Sequence, residues 1–410
     1  MRVLCKYDRF DSSANGWTTS SPRPDISPLF DVDERAGRTG GGALKIVADC
    51  SAAAIGCWKK RVDGLLPGHA YRITACYQAT GITHEPQSIS LRLDWRDDKG
   101  QRPRQPDNAV AAACDGLWRK IDYTTLAPDR AQSVTIELEL RWAPGGVVWW
   151  DDIELAELDA APRRPVRIAT VFLRPRNTAS PADSVSQFCR LLDEAAPNAD
   201  LLCLPEGITV IGTGQTYAQV AEPLPGPTTQ TLGQLAVKCR TNIVAGLYER
   251  AGHIVYNTSV LIDRTGQLIG TYRKTHLPQE EVEAGITPGD CFPVFQTDVV
   301  KVGMIICWDV QFPEPARNLA RNGAEIIALP IWGGSDILAR ARAIENHIVL
   351  VSATYDMRSF IVDPTGKVLA EATKDQPFAI ASVDLAQPLY QPWLGDMKHR
   401  TWKESRPDLR

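Results

Sequence analysis

The sequence lacks the long apolar runs and the excess of one charge that mark membrane and nucleic-acid-binding proteins. No segment approaches the roughly 18 to 20 consecutive apolar residues that a spanning helix needs, and residues 1–8 lack the apolar core of a signal peptide. The 45 basic and 49 acidic residues are interspersed and give a net charge of −4. We therefore expect a cytoplasmic protein that binds neither nucleic acid nor membrane.

The motifs of several enzyme classes are also missing. The chain has no G-x-S-x-G nucleophile elbow, no H-E-x-x-H helix and no C-x-x-C pair. Gly212-Thr213-Gly214 lacks the third glycine and the acidic partner of a dinucleotide-binding fingerprint. A serine hydrolase, a zinc site and a Rossmann fold are therefore not expected. The ten cysteines fall as five before residue 160 and five after it, and these odd numbers argue against a disulfide framework in either half.

What is present divides the chain into two regions. Residues 1 to about 160 contain short stretches in which apolar and polar residues alternate, most strictly in Ser133–Trp142, separated by turn signals such as Pro67-Gly68. A period of two predicts half-buried antiparallel strands, so this region is predicted to be an all-β sandwich. Small, proline and basic residues at 159–165 indicate a linker.

Beyond the linker, predicted strands and helices alternate, which indicates a layered α/β domain. The boundaries are therefore predicted at 1–160 and 165–410. Asp263–Gln267 and Asp363–Lys367 are predicted hairpin turns. The predicted strands are 166–173, 201–205, 242–248, 258–263, 299–307, 326–330 and 348–354, and the predicted helices are 181–196, 228–239, 314–322 and 336–346.

Three short motifs in the second region each place one ionisable side chain after an apolar or β-rich segment: Glu206, Lys274 and Cys307. A thiol becomes a strong nucleophile when a base removes its proton or a cation lowers its pKa, and the carboxylate and the ammonium supply both. Lys274 and the backbone N–H of Trp308 would stabilise the negative charge of a tetrahedral adduct. The carboxylate would then protonate the leaving amine and activate water.

These residues resemble the carbon–nitrogen hydrolase, or nitrilase, superfamily over roughly residues 165–390. The resemblance implies an α/β four-layer αββα sandwich without metal or organic cofactor. It implies that Glu206 is the general base and acid, Lys274 the oxyanion stabiliser and Cys307 the nucleophile. The segments that carry it are Pro205-Glu206-Gly207, Tyr272–Pro278, Thr287–Asp290, Cys307-Trp308-Asp309, Phe312-Pro313-Glu314 and Ala316-Arg317.

The resemblance also implies a second glutamate between the lysine and the Pro-Gly turn. Glu281 is favoured for this role and Glu283 is the alternative. Trp308, Trp332 and Tyr355 follow predicted strand ends near the presumed pocket, and are candidate substrate contacts or else core or subunit-interface residues. For His276, beside the lysine motif, we expect a structural hydrogen bond and no proton transfer.

The first region, through Leu66–Ile73 and Val148–Leu155, resembles jelly-roll carbohydrate-binding-like modules, which implies a glycan as its candidate ligand. Asp151 and Asp152 are interpreted as a solvated turn in preference to a calcium site. Its tryptophans are interpreted mainly as core residues with sugar stacking as the alternative: Trp17, Trp58, Trp95, Trp118, Trp142, Trp149 and Trp150.

The two regions together predict a hydrolase acting on a small-molecule substrate. The expected reaction is cleavage of a non-peptide C–N bond, in an amide or N-carbamoyl group, through a cysteine thioester that releases ammonia or an amine. Nitrile hydrolysis and acyl transfer by the same residues are alternatives, as is a glycan-binding protein with an inactive hydrolase-like domain. The resemblance also implies a homo-oligomer, a dimer or larger.

Overall fold

The chain folds into two compact units. The computed structural model describes residues 1–7, 9–10, 13–109, 111–195, 198–391 and 393–405. The first unit lies within residues 1–162 and 388–405, and the second is Arg163–Gln387. The boundary at 162 falls in the predicted linker. The second unit, however, ends at Gln387 and does not extend to residue 410 as predicted, because the chain returns to the first unit.

The amino-terminal part of the first unit is built from short strands, as its period-two pattern predicts. A short helix, α1 (Glu85–Ser88), and a 3₁₀ turn (Pro24–Ile26) interrupt them. The strands are β1 (Arg2–Tyr7), β2 (Thr18–Ser20), β3 (Leu29–Asp33), β4 (Ala43–Val47), β5 (Ile55–Asp63), β6 (Ala70–Thr80), β7 (Ile89–Arg96), β8 (Asp107–Ala109), β9 (Ala111–Asp115), β10 (Trp118–Leu126), β11 (Ser133–Arg141) and β12 (Val147–Glu157).

These strands form two antiparallel sheets around one core. One sheet has the order β3-β4-β12-β6-β10-β9, with β1 also on β12, and the other has the order β2-β5-β11-β7-β8. Four tryptophans, Trp17, Trp58, Trp95 and Trp150, lie in the shared core, as predicted, whereas Trp142 is exposed. Asp151 is fully buried and accepts the backbone N–H of Arg38, so its interpretation as part of a solvated turn is wrong.

The second unit alternates strands and helices. Its helices are α2 (Pro181–Ala195), α3 (Tyr217–Val220), α4 (Pro227–Cys239), α5 (Gln279–Glu283), α6 (Pro313–Arg321) and α7 (Asp336–Asn346). Its strands are β13 (Pro165–Val171), β14 (Leu201–Cys203), β15 (Asn242–Ala251), β16 (Ile254–Ile262), β17 (Leu268–Arg273), β18 (Val294–Gln296), β19 (Lys301–Met304), β20 (Ile326–Pro330), β21 (Val349–Ala353), β22 (Ser359–Val362), β23 (Val368–Ala372) and β24 (Phe378–Asp384). Residue 196, at the end of the first predicted helix, lies outside the described residues.

These elements form four layers. The sheets have the orders β17-β16-β15-β14-β13-β24 and β18-β19-β20-β21-β22-β23, and apolar residues from both, such as Val244 and Val351, share one core. Helices α2 and α4 cover the first sheet, while α6 and α7 cover the second. The predicted αββα sandwich is confirmed. Both predicted hairpins are present, and in each an aspartate side chain, Asp263 or Asp363, accepts backbone N–H groups of the turn.

One predicted strand is too long, and the difference positions the site. The strand predicted over 299–307 ends at Met304, because the carboxylate of Asp309 takes the N–H of Ile306 at 2.9 Å. Cys307 therefore begins a 3₁₀ turn (Cys307–Gln311) beyond the sheet. The prediction failed because apolar periodicity alone does not reveal a side chain that captures a backbone donor.

The carboxy-terminal part of the first unit contains β25 (Tyr390–Gln391), β26 (Gly395–Asp396) and α8 (Met397–Glu404). Polar contacts fix this segment to earlier strands. Tyr390 OH lies 2.7 Å from Thr125 Oγ1, Tyr123 OH donates to Asp396 at 3.2 Å, and the buried Lys403 donates to the carbonyl of Ile89. Across both units, none of the described helices is long and apolar enough to cross a membrane.

Candidate active site

Glu206 and Lys274 meet in the interior of the second unit. Glu206 follows β14 and Lys274 follows β17. Lys274 Nζ donates to Glu206 Oε1 at 3.0 Å, and the side chains are 1% and 4% exposed. The other oxygen, Oε2, accepts the backbone N–H of Trp332 at 3.0 Å. The two residues predicted as base and oxyanion stabiliser are therefore in direct contact and shielded from water.

Glu281, on α5, lies on the other side of the same ammonium. Its Oε2 is 2.9 Å from Lys274 Nζ, and the Glu281 side chain is 5% exposed. Glu283, the alternative, instead accepts a hydrogen bond from Gln279 at the surface. The structure thus brings Glu281, and not Glu283, to the lysine.

The charges around Lys274 keep it protonated. Burial by itself lowers the pKa of Lys274, but the negative charges of Glu206 and Glu281 outweigh it and raise the pKa above its ordinary value. The pKa of Glu281 is raised by burial and by the charge of Glu206, while Lys274 opposes the rise. The site therefore holds a fixed positive charge where an oxyanion could form.

Cys307 lies close to Glu206 and Lys274 and has a strained backbone conformation. Its φ is +42°, a left-handed conformation that is costly for a residue with a Cβ. Burial raises the pKa of Cys307, and the Glu206 carboxylate raises it further, although Lys274 and the N–H of Trp332 oppose both effects. The resting thiol is consequently protonated near neutral pH. Its activation would require a base, and Glu206 is the carboxylate whose charge acts on the thiol most strongly.

Asp309 joins the turn that carries Cys307 to the loop that carries Lys274. Its Oδ2 accepts from Ile306 N at 2.9 Å and from Tyr272 OH at 2.8 Å. Its Oδ1 accepts from the backbone N–H of His276 at 3.0 Å and lies 3.1 Å from the ring atom Nδ1. The prediction of a structural hydrogen bond at His276 is confirmed. One fully buried carboxylate thus sets the spacing of nucleophile and lysine.

Gly246 permits the close approach of the segment that carries Glu206. A Cβ at this position on β15 would lie 2.6 Å from Glu206 Cα, nearer than any real packing distance. Gly246 also donates its N–H to the carbonyl of Pro205 at 3.1 Å and accepts from Ile208 at 2.9 Å. The absence of a side chain therefore allows the backbone on both sides of Glu206 to lie against the sheet.

The three candidate substrate contacts lie in different settings. Tyr355 is buried and donates its hydroxyl to the carbonyl of Glu206 at 2.8 Å. Its ring packs edge-on against that of Trp332 at 5.2 Å. Trp308 is 41% exposed. Tyr355 therefore contacts the backbone of Glu206, while the N–H of Trp332 contacts its carboxylate.

Two residues of this cluster were missed in the sequence. Asn257, in the middle of β16, donates Nδ2 to Glu206 Oε1 at 2.7 Å and to Glu281 Oε1 at 2.6 Å. Tyr248 OH donates to Glu281 Oε1 at 3.4 Å. The available signal for Asn257 was an asparagine inside a mostly apolar strand, but the predicted strand began one residue after it. Among the described residues, no group of His, Cys, Asp and Glu side chains suited to a metal ion is found.

Comparison with known proteins identifies the class to which this site belongs. Residues 167–389, which include Glu206, Lys274, Glu281 and Cys307, match the carbon-nitrogen hydrolase family. The chain belongs to that family.

Two curated relatives illustrate the match. A probable nitrilase of Schizosaccharomyces pombe is 36% identical over 249 residues, which cover 55% of this chain and 89% of the relative. The human omega-amidase NIT2 is 30% identical over 247 residues, 53% of this chain and 88% of the relative. Among solved structures, Nit3 of Saccharomyces cerevisiae, from branch 10 of the nitrilase superfamily, has a TM-score of 0.50 at 23% identity, covering 60% of this chain and 96% of its own. That likeness shows the shared fold.

Proposed function

We propose that the second unit hydrolyses a non-peptide C–N bond in a small-molecule amide or N-carbamoyl compound. Cys307 is the nucleophile, Glu206 the general base and acid, Lys274 the oxyanion stabiliser, and Glu281 the residue that positions the lysine. The proposal is supported above all by one observation: Glu206, whose charge acts on Cys307, contacts the ammonium of Lys274 at 3.0 Å in a buried site. No metal or organic cofactor takes part in this scheme.

Acylation begins when Glu206 removes the thiol proton as the sulfur of Cys307 bonds to the carbonyl carbon. The carbonyl electron pair moves to oxygen, where Lys274 and the backbone N–H of Trp308 stabilise the negative charge. As the oxyanion collapses, the C–N bond breaks and Glu206 returns its proton to the leaving nitrogen. Ammonia or an amine departs, and the acyl group remains as a thioester on Cys307.

Deacylation reuses the same carboxylate. Glu206 takes a proton from water while the water oxygen bonds to the thioester carbon, and the oxyanion again faces Lys274. Collapse of this adduct expels the sulfur, which regains the proton from Glu206, and releases a carboxylic acid. Each proton that Glu206 accepts is returned within the same half-reaction, so the enzyme ends as it began.

An amide is favoured over a nitrile because human NIT2, one of the similar proteins, is named an omega-amidase, although the Schizosaccharomyces pombe relative is named a probable nitrilase. Acyl transfer would follow the same first half-reaction, with an amine in place of water. An inactive hydrolase-like domain is disfavoured because all of the reacting groups converge.

The remaining proposals concern the first unit and the setting of the protein. A jelly-roll architecture is supported by the way the chain alternates between the two sheets from β4 to β7 and from β10 to β12. A glycan is its proposed ligand.

A cytoplasmic location is supported by the unpaired state of all ten cysteines. A homo-oligomer is proposed from the family resemblance.

The decisive experiment screens ammonia release from primary amides, N-carbamoyl compounds and nitriles, with wild type, Cys307→Ala and the surface control Cys291→Ala. We expect turnover of an amide or carbamoyl compound by wild type and the control, none by Cys307→Ala, and an acyl adduct on Cys307 by intact and peptide mass spectrometry. Turnover that survives Cys307→Ala would refute the assignment. Formation of the free acid without any added amine identifies hydrolysis, whereas a transferase needs an amine acceptor for turnover.

A further inference from the structure

A polar cavity of about 450 Å³ lies in the first unit, on residues that have no part in the catalytic cluster. Its floor is formed by neighbouring strands of the larger sheet, with Thr74 on β6, Lys120 on β10 and Glu154 on β12. Strand register places these side chains together, since Lys120 pairs with Cys76 and Glu154 with Thr74 across adjacent strands. The volume falls in the range of about 300–1,000 Å³ that is usual for small-molecule sites.

A bulge in β12 shapes one wall of the cavity. The register with β6 shifts between Asp151 and Glu154, and Asp152 has a φ of +51°. This backbone directs the Asp152 carboxylate to the guanidinium of Arg38, with which it forms an ion pair, while Asp151 holds the backbone N–H of Arg38. Bulges that redirect a side chain occur preferentially where a surface has a binding role. The Arg38–Asp152 pair thus presents fixed donors and acceptors to the cavity.

The cavity lining also includes an aromatic ring close to a cation. Trp118 is half-buried and precedes the exposed Lys120 by two residues on β10, so both side chains are on the outer face. The charge of Lys120 acts on the nearby Asp122, and that of Glu154 acts on the nearby Arg72. The cavity lining thus combines an ammonium, a carboxylate and an aromatic ring.

These groups define the ligand chemistry. Hydroxyl groups donate and accept, and so match a wall containing Thr74, Glu154 and the Arg38–Asp152 pair. The C–H face of a sugar ring can pack against the indole of Trp118. With Lys6 also in the lining, cations outnumber carboxylates three to two, and the ammonium of Lys120 would form a charge-assisted hydrogen bond with an anion.

We propose that this cavity binds an anionic sugar, with a uronic acid as its simplest ligand, through Trp118, Lys120 and Glu154. This deepens the proposal that the first unit binds a glycan, and it does not depend on the cysteine chemistry of the second unit.

Calorimetric titration of the full-length Cys307→Ala protein with sodium glucuronate tests the site without turnover. Glucose and sodium acetate serve as the neutral-sugar and simple-anion comparators. We expect glucuronate to bind at least about tenfold more tightly than either comparator, since a charge-assisted hydrogen bond and a ring contact each contribute on that scale. Acetate binding as tight as glucuronate would show a simple anion site and overturn the proposal, and so would the absence of glucuronate binding.

Variants in the same background locate the site. Lys120→Gln and Trp118→Ala should each weaken glucuronate binding about tenfold or more. The controls Lys99→Gln and Trp142→Ala, at exposed positions of the same unit, should not. Circular dichroism checks folding, and Lys120→Arg should retain binding because it keeps the charge. Unchanged affinity in both cavity variants would overturn the proposal even if the protein binds glucuronate.

Discussion

The side-chain amide of Asn257 donates to the carboxylate of Glu206 at 2.7 Å. The same nitrogen lies 2.6 Å from Glu281, so one neutral group connects the two carboxylates that also flank Lys274. Two carboxylates in a buried site repel each other, and each donor they share offsets part of that repulsion. Asn257 therefore holds the carboxylates of Glu206 and Glu281 in place on either side of Lys274.

Replacement of Asn257 should impair catalysis more than folding. We expect Asn257→Leu to lower kcat/KM about 10²-fold, on the scale of a lost acid–base contribution, because Glu206 is no longer held toward Cys307. Asn257→Asp should lower it further, since a third carboxylate enters the cluster. Ammonia release on the best amide from the screen measures the effect. Asn322→Leu, at the surface, is the matched control, and wild-type kinetics in Asn257→Leu would refute the role.

The ionisation of Cys307 should respond in opposite directions to its two charged neighbours. Glu206 raises the pKa of the thiol and Lys274 lowers it. Glu206→Gln should therefore shift thiolate formation to lower pH, while Lys274→Met shifts it to higher pH. Ultraviolet absorbance of the thiolate measures this ionisation. Subtracting the absorbance of the Cys307→Ala form of each variant separates Cys307 from the other cysteines among the ten. Shifts in the same direction for both variants would contradict the charge arrangement.

Asp309 should be required for both activity and stability. The substitution Asp309→Asn replaces one of two acceptor oxygens with an NH₂ group. That group would face a backbone N–H, of Ile306 or of His276, with which it cannot form a hydrogen bond. The loss of charged hydrogen bonds should destabilise the second unit by about 2–3 kcal/mol and lower kcat more than tenfold. Thermal unfolding and ammonia release report the two effects. Asp363→Asn, in a surface hairpin, should leave kcat unchanged, and equal kcat in Asp309→Asn would oppose the prediction.

Lys403 should make the stability of the first unit depend on pH. Burial lowers the pKa of Lys403 from an ordinary 10.5 to about 7, so below pH 7 the folded state holds a buried charge at full cost. Between pH 7 and 10.5 the unfolded chain binds more protons, and stability rises with pH.

Lys403→Met removes this cost. We expect it to raise Tm by about 2–4 °C or more below pH 7, and by less near pH 10. Differential scanning calorimetry across this pH range measures the change, with the exposed Lys99→Met as control. An equal gain at both ends of the range would show that the buried charge is not the cause.

The sequence predicted the parts of the site that follow local patterns. Glu206, Lys274 and Cys307 stand in short motifs, alternating strands and helices predicted a layered α/β domain, and the family resemblance implied its four layers. Asn257 escaped prediction because its partners are 24 and 51 residues away, and a strand pattern reveals burial but not what an inward polar group contacts. The end of β19 likewise depends on a side chain, because the carboxylate of Asp309 accepts the N–H of Ile306. A strand pattern does not predict such a contact. The return of residues 388–405 to the first unit leaves no periodic signal.

The pairing of β13 with β24 shows how the second unit is inserted within the chain of the first unit. Pro165 pairs with Asp384, so the two ends of the unit emerge side by side, whereas residues 1–162 and 388–405 belong to one folded body. Cleavage of the chain at one position therefore cannot separate the two units. A stop codon after residue 387 would leave Glu206, Lys274 and Cys307 in place yet remove Lys403, Asp396 and Tyr390 from the first unit, and so destabilise the unit that does not contain those three residues.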